Sequence, residues 1–488
     1  MRTPTTDPRT YTRMTYLVIG MLTLWRVVWL RMDGTTLSTD EAQYWFWGQS
    51  FAFGAYSKPP LIGWLIRLTT ELAGNTVFGA RIGAPLVHAG TALIIFALGI
   101  RVTTRPVAAF AALSYITLPA VALGSILITT DTPLLFFAAL SLLAQHKLAQ
   151  TGGAKLTLAL GIAIGLAFMS KYAMIYVVLG MIAAAIVSRD WRISWRATLA
   201  TSVIAVLIVL PNMIWIATHS FATVEHVTSD ADWAGLRLYP VQALRFVAEQ
   251  LAVMGPVLFV AWLWGLTRLR KMTRAQIALY ALYALSILPL LVVTGQALFS
   301  RALANWGVTF VLAGVIVASV ALENHRVLRR ISLGLTLLIS LALPVFVTLG
   351  TNLRMPDGRL YLHRYVAQPD IIDWALDAAR AQNAGIIVAD GRDVLSALTF
   401  AARGTGITIN APAGSGTPHN HWELLHRYDP RQTSTPVFIL AKTTSSLATL
   451  CPDAATQQRT AGQGFVEGQD FVLVEVTDTT CLKGAAYD

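Results

Sequence analysis

Between Tyr11 and Gly350 the chain repeats one pattern: a long apolar run, then a short cluster of charge, Pro or Gly. Many of these runs approach the roughly 20 residues that a helix needs to cross a bilayer. A chain built this way is an integral membrane protein, and its composition agrees. Of the 488 residues, 55% are hydrophobic and only 13% charged, and the mean hydropathy is +0.58. A soluble domain carries about twice that charged fraction. The net charge of +11 would by itself point to nucleic acid. Its placement excludes that partner. The cations lie in short connections between apolar runs, where they orient the spans in the lipid bilayer.

The runs predict about eleven spans, with ends good to about four residues. They cover residues 12–31, 77–100, 106–124, 132–149, 156–170, 172–188, 197–217, 242–266, 275–294, 303–321 and 331–349. The fifth and sixth are short and read equally well as one helix broken at Ser170-Lys171. The first is full length and lacks a small-residue cleavage site, so it reads as a retained anchor. Lys and Arg concentrate in alternate connections: Arg2, Arg9 and Arg13; Arg101 and Arg105; Lys147 and Lys155; Arg189, Arg192 and Arg196; Arg268, Arg270, Lys271 and Arg274; Arg326, Arg329 and Arg330. By the positive-inside rule this set faces the cytoplasm, which puts the N-terminus inside and the C-terminus outside. The expected location is the bacterial inner membrane, with the long loop 32–76 and everything after 350 on the periplasmic side.

The expected fold is therefore an α-helical polytopic membrane protein in two parts. Residues 1–350 form the transmembrane part and carry the loop 32–76. Residues 351–488 form a periplasmic α/β domain. In that domain the short β-branched runs 385–389, 406–410, 436–441 and 471–476 read as strands, and 369–381 reads as a helix. The loop reads as two interfacial helices, about 40–50 and 61–73, because Trp45, Trp47, Phe51, Phe53, Tyr56 and Trp64 suit the bilayer interface. Cys451 and Cys481 are the only cysteines. Two cysteines cannot build a four-cysteine zinc site. In an oxidising compartment they are expected to form a disulfide.

The residues most able to carry chemistry stand in the first loop. Asp40 and Glu41 are adjacent acids beside a membrane, followed by Tyr44. Transfer of a sugar to a hydroxyl needs a base to take the hydroxyl proton. It also needs cations or donors to neutralise a departing phosphate. Lys58, in Tyr56-Ser57-Lys58-Pro59-Pro60, supplies a cation on the same side, and the two prolines rule out helix there. The plainer reading makes the acids the first turn of an interfacial helix capped by Ser38 or Thr39. A cap does not exclude catalysis.

Three segments in order resemble the N-terminal signature of the protein O-mannosyltransferase and lipid A aminoarabinose transferase superfamily. They are Asp40-Glu41-Ala42-Gln43-Tyr44, Tyr56-Ser57-Lys58-Pro59-Pro60-Leu61 and Phe78-Gly79-Ala80-Arg81-Ile82-Gly83-Ala84-Pro85. Asp131-Thr132-Pro133 and the segment Gly165 to Lys171 add weaker matches, so the resemblance runs over about residues 20–350. It implies a GT-C membrane fold and a polyprenyl-phosphate-linked sugar donor. It also implies an acceptor-side acid at Asp40 and a second acid near the active site at Asp131. Read from its residues alone, Asp131 is instead a good helix start, with Pro133 in the first turn. Lys171 and Arg301 are lone outer cations in apolar settings, fit either for phosphate contact or for snorkelling. Arg81 pairs with an acid or binds phosphate. Tyr44 and Tyr56 are the candidates for substrate contact. The segment 296–306 ends in Asn305-Trp306, where relatives carry Tyr and Pro, so no role is transferred there.

These motifs require no cofactor. A divalent metal is possible in the loop 218–241, which carries His219, Glu225, His226, Asp230 and Asp232, although a solvated loop is the plainer reading. His419, His421 and His426 read as surface histidines. The expected activity is an inverting single displacement onto a cell-envelope glycolipid or glycan, either lipid A or lipopolysaccharide core. The alternatives are protein O-glycosylation and a transporter or flippase of lipid-linked sugars. A transporter would carry midplane charges and repeat symmetry, and no repeat is visible.

Overall fold

The computed structural model describes residues 8–219, 237–268, 277–358, 360–363, 365, 368–414, 417–429 and 436–482. It is predominantly helical, with one five-stranded sheet near the C-terminus. The chain divides into two compact units. The first comprises 1–31, 58–62 and 81–345; the second comprises 32–57, 63–80 and 346–488. Most of the loop 32–76, expected with the spans, belongs to the same unit as the C-terminal sheet.

The first unit is a bundle of apolar helices. Seven helices are long and apolar enough to cross a membrane among the described residues, or eight if one bent pair counts as a single span. Among the described residues the expected runs are largely helical, but fewer than the eleven expected are long enough to span, because several are interrupted or short for local reasons. Arg105–Thr117 stops at Leu118, whose backbone is extended (ψ 140°) because Pro119 follows it. Ala154–Ser170 and Met174–Val187 have 17 and 14 residues and are separated by Lys171 to Ala173. The run expected as one span over 242–266 is two helices, Pro240–Met254 and Pro256–Arg268, bent by 119°. Gly255 at the break has φ 84°, a conformation open to glycine, and Pro256 cannot continue the hydrogen-bond ladder of the helix before it.

Packing inside the bundle uses small residues. Helix Trp195–Thr218 lies along Ala154–Ser170, where Gly161 and Gly165 share one face. A Cβ at either position would sit 2.7 or 2.8 Å from the Cβ of Ile204 or Ile208. Such close approach lets helix backbones pack where no hydrophobic effect drives them together. A buried cation adds a polar lock. Arg26, 1% exposed, donates to Ser125 Oγ (3.0 Å), the Ile116 carbonyl (2.5 Å) and Ser340 Oγ (2.7 Å).

In the second unit the sheet order is β2-β1-β3-β5-β4, with β1 Ile386–Ala389, β2 Thr408–Asn410, β3 Val437–Lys442, β4 Ala455–Thr460 and β5 Asp470–Val476. β1 pairs in parallel with β2 and β3, while β5 pairs antiparallel with β3 and β4. The sheet and the helices Asp370–Ala381 and Arg392–Ala401 enclose a core of Ile371, Leu376, Ile387, Leu398, Trp422 and Phe438. Cys451 and Cys481 form the expected disulfide, with Cα atoms 5.5 Å apart. The loop helices are Thr39–Trp47 and Leu61–Ala73. Phe46 stacks on Trp422 (5.1 Å, 6° between planes), and Trp45 meets Phe400 edge-on at 5.0 Å.

Candidate active site

The candidate residues divide between the two units. In the second, Ser38 caps helix Thr39–Trp47 and forms a capping box with Glu41. The Ser38 backbone N–H donates to Glu41 Oε2 at 3.0 Å, and Glu41 N–H donates to Ser38 Oγ at 3.4 Å. Glu41 is 1% exposed, so of the two adjacent acids it is the one the helix start engages. Asp40 differs. Its side chain is 58% exposed, and Oδ1 accepts from Arg392 Nη1 at 3.0 Å. Oδ2 has no partner among the described residues. Tyr44 and Tyr56 are each 7% exposed, and Tyr44 packs on Trp47 at 5.2 Å.

Buried aromatic rings surround this helix. His421 is 4% exposed and His426 half-buried, and both rings lie beside Phe46. The surface reading of these two histidines is therefore corrected: the loop helix covers them. Burial lowers the His426 imidazole from its ordinary value. His419 is exposed as expected. At the end of β1, burial pushes the Asp390 carboxyl up, partly offset by a hydrogen bond from the Ser445 hydroxyl.

In the first unit Asp131 opens helix Asp131–Thr151 and is enclosed. Its Oδ1 accepts from Lys171 Nζ at 2.7 Å and its Oδ2 from Asn305 Nδ2 at 2.9 Å. The side chains of Lys171 and Asp131 are 17% and 12% exposed. Lys171 reaches this acid because it stands just past the end of Ala154–Ser170 in extended backbone (φ −164°, ψ 136°). In the sequence Asn305 stands out only as a departure from relatives. Its carboxamide completes the Asp131 cluster, and the sole advance signal was a polar residue in the apolar segment 296–306. Arg81 is fully buried and Lys58 half-buried, and neither is without a partner. Arg301 is exposed and makes no side-chain hydrogen bond or ion pair among the described residues.

No group of three or more His, Cys, Asp or Glu side chains is placed to hold a metal among the described residues. Glu225, His226, Asp230 and Asp232 lie outside those residues. His219 stacks on Trp215 at 4.1 Å.

The chain is 34% identical over 472 residues to the lipid A galacturonosyltransferase RgtD of Rhizobium johnstonii, covering 96% of this chain and 98% of that one. The chain belongs to the protein O-mannosyltransferase and lipid A aminoarabinose transferase superfamily of GT-C glycosyltransferases. The family model of dolichyl-phosphate-mannose-protein mannosyltransferases matches residues 57–215 of this glycosyltransferase. A shorter match, 30% over 191 residues and 37% of each chain, links it to the lipopolysaccharide core galacturonosyltransferase RgtA of the same organism. The fold is that of ArnT from Cupriavidus metallidurans. The apo structure matches with a TM-score of 0.66 at 15% identity, covering 98% of this chain and 99% of ArnT. The structure bound to undecaprenyl phosphate matches with a TM-score of 0.60 at 16% identity, covering 96% and 99%.

Proposed function

We propose that this glycosyltransferase moves a hexuronic sugar of the galacturonosyl class from a polyprenyl-phosphate carrier to a hydroxyl of lipid A or the lipopolysaccharide core. The reaction takes place on the periplasmic side of the bacterial inner membrane. The observation that carries the reading is the 34% identity to a lipid A galacturonosyltransferase along nearly the whole of both chains. The Cys451–Cys481 bridge supports an oxidising compartment for the second unit.

The chemistry is a single displacement. Asp40 takes the proton of the acceptor hydroxyl as that oxygen attacks the anomeric carbon. The bond from that carbon to the carrier phosphate breaks, and the phosphate leaves with the electron pair, so the configuration inverts. The unshared Oδ2 of Asp40 supports its role as base. The carboxylates of Glu41 and Asp131 are already engaged, and their roles are to hold the helix start and Lys171. Lys58, Arg81, Lys171 and Arg301 are the cations proposed to meet the phosphate, and Tyr44 and Tyr56 are the substrate-contacting candidates. A second reading, a protein acceptor, is favoured by the description of the family matched over 57–215.

Mass spectrometry of lipid A from a strain lacking the protein tests both readings. The expected result is loss of one hexuronic acid, restored by the wild-type gene and not by Asp40→Asn. Unchanged lipid A and core, with a sugar missing from an envelope protein, would sink the lipid reading in favour of the protein acceptor.

A further inference from the structure

We infer that Arg392, in the C-terminal part of the chain, is the positioning residue for the base Asp40. The inference rests on the reading of Asp40 as proton acceptor. Arg392 is the first residue of helix Arg392–Ala401, directly after Gly391. Gly391 has φ 80°, which lets the chain leave β1 and turn sharply into this helix. The guanidinium Nη1 donates to Asp40 Oδ1 at 3.0 Å and lies 3.5 Å from Gln43 Oε1. Asp40 and Gln43 are three residues apart and therefore share a face of helix Thr39–Trp47. Gln43 is 1% exposed, so its end of the contact is fixed by packing.

The contact between the two helices does not depend on this ion pair. Trp45 packs on Phe400 and donates to Asn75 Oδ1 at 2.8 Å, Phe46 stacks on Trp422, and Arg403 Nε donates to the Asn75 carbonyl at 3.1 Å. The Arg392 and Asp40 side chains are 44% and 58% exposed. An ion pair this open contributes little to stability. Its consequence is geometric. By holding Oδ1, Arg392 biases the orientation of the carboxylate and leaves Oδ2 as the oxygen without a partner among the described residues. A base held this way keeps its aim from one turnover to the next, and losing that aim costs rate rather than binding.

The test is steady-state kinetics of the full-length protein in nanodiscs, with polyprenyl-phosphate galacturonic acid as donor and lipid A as acceptor. Arg392→Ala should lower kcat about 10- to 100-fold with both KM values within about twofold. Arg392→Lys, which keeps the charge without the planar fork, should recover part of the loss. In an Asp40→Asn background Arg392→Ala should cost nothing further, and the thermal midpoint should not move. Unchanged kcat in Arg392→Ala overturns the inference. So does a raised KM at constant kcat, which would make Arg392 a substrate contact. Full activity of Asp40→Asn alone would instead remove the base reading on which the inference stands.

Discussion

Asp131 shares its two carboxylate oxygens between Lys171 and Asn305 in a setting where both charged side chains are mostly enclosed. Removing one member of such a pair leaves a charge without its partner and costs about 3–5 kcal/mol, whereas removing both can be nearly neutral. Lys171→Met should therefore lower the thermal midpoint in detergent sharply, and Asp131→Leu with Lys171→Met should recover much of it. Equal midpoints for the single and double variants would reject a stabilising pair. If Lys171 also meets the donor phosphate, the double variant regains stability without regaining transfer. The sequence picked out Asp131 and Lys171 separately but not their pairing. The two are 40 residues apart, and Asn305 is 174 residues from Asp131. Only the folded bundle brings a carboxylate, an ammonium and a carboxamide to one point.

At the level of elements, the face carrying Gly161 and Gly165 is a packing device with a built-in control. A Cβ at Gly165 would lie 2.8 Å from Ile208 Cβ, while one at Gly20, in helix Pro8–Met32, meets nothing within 4 Å. Gly165→Ala should thus destabilise by about 1–3 kcal/mol through overpacking, and Gly20→Ala should not. Thermal scans of the two variants decide this, and parallel behaviour would remove the packing role. Strands β1, β2, β3 and β5 were legible because they are short β-branched runs whose side chains fill a core. β4 was not. Its sequence, Ala455–Thr460, is polar and exposed throughout, so it carries no alternation to read and exists because β5 offers it an edge. The apolar helices were legible as runs. The reversal at Gly255 was not, because a Gly-Pro pair inside an apolar stretch reads equally as a kink or a break.

For the molecule as a whole, the division into units matters more than the count of spans. Residues 32–57 and 63–80 belong with the sheet, so the helix bearing Asp40 is expected to depend on the integrity of that unit. Sequence order hides this, because the ring partners Phe400 and Trp422 of Trp45 and Phe46 lie more than 300 residues further along the chain. The disulfide gives a handle on the dependence. It spans 30 residues, and closing a loop of that size stabilises by about 3–4 kcal/mol in the chain-entropy account. Cys451→Ser with Cys481→Ser should therefore lower the second unit's stability and raise proteolysis near Gln49 to Phe53 together with that of the sheet. Cleavage confined to the sheet would show that the loop folds on its own. Titration of the denatured, unreduced wild type should find no free thiols.

Arg26 sets a timetable for biosynthesis. Its partners Ile116 and Ser125 follow it by 90 and 99 residues, but Ser340 follows by 314. At about 5–20 residues per second the ribosome needs roughly 15–60 s to reach that serine. During that interval a guanidinium stands in the first apolar helix without its full set of acceptors, in surroundings where an unmatched charge is costly. Helix Pro8–Met32 therefore precedes the last of these three acceptors by most of the chain. Until helix Arg326–Leu349 arrives, the guanidinium has only the Ile116 and Ser125 acceptors of the three.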